Sequence, residues 1–111
     1  MAARIKVAPA EERTAEGIVF HSKREMQAYC GFRALEKSGQ IKSLMIQVAF
    51  PLLAYCEGKA VRISEYRADF VVQELDGTVR VYDSKGFHTE MYKLKKKIFG
   101  WNYPHLRIVE I

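Results

Sequence analysis

The chain has 111 residues, 49% apolar and 28% charged, enough for one globular domain with a single core and too few for two. No apolar run approaches the roughly 20 residues of a membrane span. Met1-Ala2-Ala3-Arg4-Ile5-Lys6 lacks the apolar core of a signal peptide, so a cytoplasmic setting is expected. Cys30 and Cys56 are too few for a disulfide framework or a zinc site, and the net charge of +5 favours polyanionic partners without naming one.

Positions 1–17 are mixed-charge and Ala-rich without periodicity, and are expected to form a flexible N-terminal arm ahead of one domain, 18–111. Ile18-Val19-Phe20 reads as a short extended segment. Ser22-Lys23-Arg24-Glu25 then has the capping-box pattern, with Ser22 as N-cap and Glu25 at the third helical position, and Gly39 marks the helix end. On a wheel of about 100° per residue, Ala28, Tyr29, Phe32 and Leu35 share one face, and Glu25 falls in the middle of it. A carboxylate aimed at the interior is costly without a partner. Glu25 either completes the capping box or reaches over the sheet toward a metal or a lysine, and both roles are compatible.

From 44 to 50 the chain alternates Leu44, Ile46, Val48, Phe50 against Met45, Gln47, Ala49, the pattern of a strand with a buried face. Pro51 interrupts it, and 52–56 continue beyond a kink. Glu57-Gly58-Lys59 turns into a second strand over 61–75, and Asp76-Gly77 turns into a third over 78–85. A second helix over 90–100 follows, capped near His88 or Thr89. Its expected apolar side is Met91, Leu94, Ile98 and Trp101, with Lys93, Lys96 and Lys97 opposite and Lys95 near the border. Pro104 separates this helix from a last strand over 106–111. The order is helix, three antiparallel strands, helix, strand.

Asp69 and Asp83-Ser84-Lys85 lie on adjacent strands of this scheme. A carboxylate pair can hold a divalent metal against a phosphate, and a nearby lysine can help a water attack phosphorus. Register decides whether the pair forms, because a one-residue slip reverses every side chain. A two-residue loop would place the two acids on opposite faces. A Leu75-Asp76-Gly77 loop with left-handed Gly77 opposes Glu74 to Thr78, Val71 to Val81, Phe70 to Tyr82 and Asp69 to Asp83. The second register pairs like with like and is the one expected. His21, His88 and His105 show no metal-ligand spacing, and ordinary polar or capping roles are expected of them.

The ordered set Gly17-Ile18-Val19-Phe20-His21-Ser22-Lys23-Arg24-Glu25, Leu35-Glu36-Lys37-Ser38-Gly39-Gln40-Ile41, Gln47 with Phe50, Tyr66-Arg67-Ala68-Asp69-Phe70, Asp83-Ser84-Lys85-Gly86 and Tyr92-Lys93-Leu94-Lys95-Lys96-Lys97 resembles the PD-(D/E)XK nuclease superfamily, and within it small, mostly phage-encoded nuclease-like proteins. Ala68 stands at the proline of the family name, and Asp83 where many members carry Glu. The resemblance implies an α/β sandwich with an α-β-β-β-α-β restriction-endonuclease-like core around a central mixed sheet. It also implies a magnesium-dependent DNA endonuclease, with manganese as a substitute. In it Asp69 and Asp83 would ligate the metal, with the Ser84 carbonyl as a third ligand. Glu25 would bind directly or through water, Lys85 would orient the attacking water, and Gln47 would touch the scissile phosphate or Lys85. Lys23, Arg24, Lys93, Lys96 and Lys97 would contact DNA phosphates, which supplies affinity rather than sequence choice.

No helix-turn-helix, zinc finger or spare domain is present to read bases. A nuclease without such a module recognises DNA shape, relies on a partner or cuts loosely. The leading expectation is a phage-type DNA endonuclease, with branched or recombination intermediates as candidate substrates, working in the (host) cytoplasm as a homodimer or with phage replication and recombination proteins. A nuclease subunit of a larger recombination or transposition complex, and a non-catalytic DNA-binding module, are the alternatives.

Overall fold

A computed structural model describes residues 7–84 and 88–111. Lys85, with Gly86 and Phe87, lies outside the described residues. In chain order a 3-10 turn, Ala10–Arg13, leads into β1 (Thr14–Ala15), β2 (Ile18–Val19), α1 (Lys23–Lys37), β3 (Ser43–Cys56), β4 (Lys59–Gln73), β5 (Val79–Asp83), α2 (Glu90–Asn102) and β6 (Ile108–Glu110). The main sheet runs β3-β4-β5-β6, antiparallel throughout except for the parallel β5–β6 pair. It is the mixed sheet of an α/β sandwich, as expected.

Neighbouring strand residues point to opposite faces, and the two helices divide those faces between them. Phe70 and Tyr82 pack under α1 with Phe20, Tyr29, Phe32 and Ile46. Val71 and Val81 pack under α2 with Leu52, Tyr66 and Phe99. Ser22 caps α1, its hydroxyl accepting from the Glu25 N–H at 3.0 Å, a bond worth about 1 kcal/mol. Thr89 caps α2 in the same way through the Tyr92 N–H, also at 3.0 Å.

The second helix turns a different face inward from the one its sequence suggests. Tyr92 and Phe99 are its buried residues, whereas Met91, Leu94 and Trp101 stay exposed, Trp101 at 79%. The wheel shows two apolar flanks, and the sheet beneath selects the aromatic one because Tyr66, Phe50 and Tyr103 offer rings to it. Phe99 lies 5.1 Å from Phe50 and 5.2 Å from Tyr66, centroid to centroid.

The described part of the expected flexible arm is held along α1. Glu16 and Gly17 both have positive φ, the two-residue turn that lets β1 pair with β2. Glu16 accepts from the Tyr29 hydroxyl at 2.5 Å and from Lys37 at 2.9 Å, and Arg33 approaches at 3.3 Å. These partners, Tyr29 foremost and then Lys37, hold its carboxyl down from 4.5 to about 2. Because the folded value is the lower one, the contribution is complete above about 4.5 and is lost as pH falls toward 2. Glu16→Gln should therefore melt earlier than the parent at neutral pH, with the gap closing across that acid window. A gap independent of pH in a series of thermal melts would show that Glu16 does not anchor the lead-in.

Beyond the core, β3 and β4 continue as a two-stranded arm whose positions 55–63 are all exposed. Its outer strand is protected at the base. The Asn102 side chain takes both the N–H and the C=O of Leu53, at 2.7 and 3.1 Å, and the Tyr103 hydroxyl donates to the Pro51 carbonyl at 2.8 Å. Unpaired edge groups recruit other strands, so these contacts limit that hazard where the arm begins.

Candidate active site

The hairpin register is the one that brings the acids together. Phe70 pairs with Tyr82 and Val71 with Val81. Glu74 and Thr78 are bonded, N to O, at 2.8 Å, and Gly77 closes the three-residue loop with φ of 90°. Extending the ladder by one residue opposes Asp69 to Asp83, and the Ser84 N–H donates to Asp69 Oδ2 at 2.8 Å.

Both acids are deeply buried, Asp69 at 3% and Asp83 at 0% exposure. Asp83 Oδ2 accepts a short hydrogen bond from the Tyr66 hydroxyl. Burial, and next the Asp83 carboxylate, push that phenol strongly up, so it stays a donor. Tyr92 stands behind, 6.2 Å from the Tyr66 ring, with its own phenol pushed up to about 12 by burial and then by Asp83.

Glu25 enters from α1, 3% exposed. It meets Asp69 through Gln47, whose amide donates to Glu25 Oε1 at 3.1 Å and to Asp69 Oδ1 at 3.2 Å. The backbone explains why a plain strand glutamine reaches both. Gln47 has φ of 51°, in the left-handed region that costs an ordinary residue about 1–3 kcal/mol. The β3–β4 ladder skips the Gln47–Asp69 pair while keeping the same register on either side.

That inversion overturns the simple alternation expected of 44–50. Leu44 and Ile46 pack on the α1 side, but Val48 and Phe50 pack on the α2 side. The opposite strand does the same, with Phe70 toward α1 and Ala68 toward α2. The strands exchange faces at Gln47 and Asp69, and the polar side chains gather at the crossover.

Following the registers across the sheet gives one polar residue per strand in a single row: Gln47 on β3, Asp69 on β4, Asp83 on β5 and Glu110 on β6. The row lies where β5 and β6 end and the β3–β4 arm continues. Two clefts open at its ends. One, about 280 Å³, is lined at the β3 end by Phe20, His21, Glu25, Ile46, Gln47 and Arg67, among others. The other, about 570 Å³, is lined at the β6 end by His88, Tyr92, Lys93, Lys96, Lys97 and Glu110, among others. Glu110 accepts from Lys96 and pairs with His88, and Lys96 foremost holds its carboxyl below the usual range.

The expected phosphate-binding lysines Lys93, Lys96 and Lys97 thus share one cleft beside the acids. Lys23 and Arg24 are exposed on the first turn of α1 and line neither cleft. His21, Tyr66 and Glu110 join the site without having been singled out for it, while Arg67, expected to add positive charge beside the acids, lines the cleft at the β3 end. For Tyr66 the signal was an aromatic residue three positions before Asp69 on the same strand.

Among the described residues, no group of three or more His, Cys, Asp or Glu side chains is arranged to hold a metal ion. The two opposed carboxylates, with the adjoining Ser84 carbonyl, are an all-oxygen set. That suits magnesium, which takes one or two protein carboxylates and fills its remaining positions with water and substrate phosphate.

A family described as "Protein of unknown function (DUF1064)" matches residues 6–111. The chain belongs to that family. The match begins ahead of β1, so it takes in the lead-in that Glu16 ties to α1 as well as the sheet and both helices. Comparison with curated proteins and with solved structures gave no match. No helix among the described residues is long and apolar enough to cross a membrane.

Proposed function

We propose that this protein is a metal-dependent DNA endonuclease that hydrolyses phosphodiester bonds, with branched or recombination intermediates as its preferred substrates. The observation that carries this is the opposition of buried Asp69 and Asp83 at the end of the β4–β5 hairpin, linked through Gln47 to a third buried carboxylate, Glu25. Two closely opposed carboxylates offer the oxygen ligands that a divalent cation takes, and leave its other positions to water and phosphate.

Asp69 and Asp83 would hold the metal, with the Ser84 carbonyl beside them. A bound magnesium would supply Lewis-acid polarisation of the phosphate and a more acidic water. The chain's own groups do the positioning. Tyr66 fixes Asp83, and Gln47 fixes Asp69 against Glu25. Lys93, Lys96 and Lys97 draw the polyanion to the row. Lys85, two residues beyond Asp83, is assigned to the attacking water, on the strength of the sequence resemblance alone.

Purified protein should be incubated with linear, nicked and four-way-junction DNA, with magnesium and with chelator. Metal-dependent cleavage that favours the junction is the expected result. Folded protein that cuts none of these substrates, in magnesium or in manganese, would sink the proposal and favour a non-catalytic DNA-binding module.

A further inference from the structure

The two clefts at the ends of the polar row differ in their chemistry. At about 4.8 Å between strands, the row from Gln47 to Glu110 spans roughly 14 Å. The β6 end carries the lysines. Among the described residues lining the β3 end there is no lysine, yet two exposed groups there are able to donate to an anion. His21 is 81% exposed, and its Nδ1 faces Glu25 Oε2 at 3.6 Å, so the ring nitrogen not engaged there is Nε2. Arg67 is 56% exposed, and the Glu65 carboxylate stands 3.9 Å from its guanidinium. Both line the same 280 Å³ cleft, together with Glu25 and Gln47.

A phosphodiester centred on Asp69 and Asp83 continues in both directions from the reacting phosphorus. Toward β6 its next phosphate meets the lysine cleft. Toward β3 it meets His21 and Arg67. A planar guanidinium takes two phosphate oxygens at once, which positions a backbone more tightly than a lysine does. Glu25 also lines this cleft, and its Oε1 accepts from the Gln47 amide at 3.1 Å.

We propose that His21 and Arg67 form a subsite for the backbone phosphate adjoining the scissile one, so that the substrate strand is gripped on both sides of the cut. This deepens the nuclease reading and rests on it. A strand held on both sides is cut internally, and a terminal phosphoester would lose half its contacts.

The test is binding of a labelled DNA oligonucleotide in chelator, where no cleavage intervenes, followed by cleavage in magnesium. Arg67→Ala should weaken binding about tenfold, the loss of one charge-assisted contact. It should also lower the slope of log affinity against log salt by about one. In cleavage its KM should rise while kcat changes little. His21→Ala should act in the same direction, and His21→Gln, which keeps a donor, should restore most of the loss. Arg62→Ala on the exposed arm should bind as the parent does. If the parent binds and cuts while Arg67→Ala and His21→Ala match it in both, the subsite is wrong and the nuclease reading stands. If the parent neither binds nor cuts, both fall.

Discussion

Asp83→Asn is expected to abolish magnesium-dependent DNA cleavage, by about 1,000-fold or more, while leaving the fold intact. A loss of that size corresponds to about 4 kcal/mol of transition-state stabilisation, within what one metal-held phosphate receives from its ion. The substitution keeps the shape of the side chain and a carbonyl oxygen for the Tyr66 hydroxyl, so packing around this fully buried position is preserved. In chelator the variant should still fold and melt in one cooperative transition. Added magnesium should raise the melting temperature of the parent, by mass action on the folded state, and leave that of the variant unmoved. The melting experiment reads metal binding without reference to cleavage. Near-normal cleavage by Asp83→Asn would show that the acids are not the metal site.

Tyr66→Phe should weaken the dependence on magnesium about 10- to 100-fold, the usual consequence of deleting a group that orients a metal ligand. The ring itself stays, so its packing on Phe99 at 5.2 Å and on Tyr92 is retained. What disappears is the hydroxyl that donates to Asp83 Oδ2. Cleavage measured against magnesium concentration should shift to a higher midpoint, with most of kcat returning at saturation. A purely structural role for the hydroxyl would lower the melting temperature and leave that midpoint where it was, and an unshifted midpoint would refute the assignment.

The site was partly legible in the sequence because β-pairing converts local pattern into geometry. Once Phe70 is matched to Tyr82 and Val71 to Val81, no freedom remains in where Asp69 and Asp83 meet, and Gly77 supplies the left-handed residue the loop requires. The cap at Ser22 was readable for the same reason, since it depends on residues three apart, whereas for the second helix His88 and Thr89 stayed open until the structure showed Thr89 accepting from Tyr92. The inward face of α2 was not. Two apolar flanks of one helix compete, and only the aromatic surface of the sheet beneath decides for Tyr92 and Phe99 over Leu94 and Trp101.

Composition, helix caps and the pairing of like residues across one hairpin thus determined the order of elements and the opposition of two acids. Each of those depends on neighbours along the chain or on a single register. The tertiary structure alone decided that Gln47 turns over, that both strands exchange faces there, that the Tyr66 hydroxyl meets Asp83, and that His21 and Arg67 line one cleft with Glu25. A left-handed glutamine leaves no signature in residue type, because its cost of about 1–3 kcal/mol is met by packing on both faces of a sheet that no local window contains.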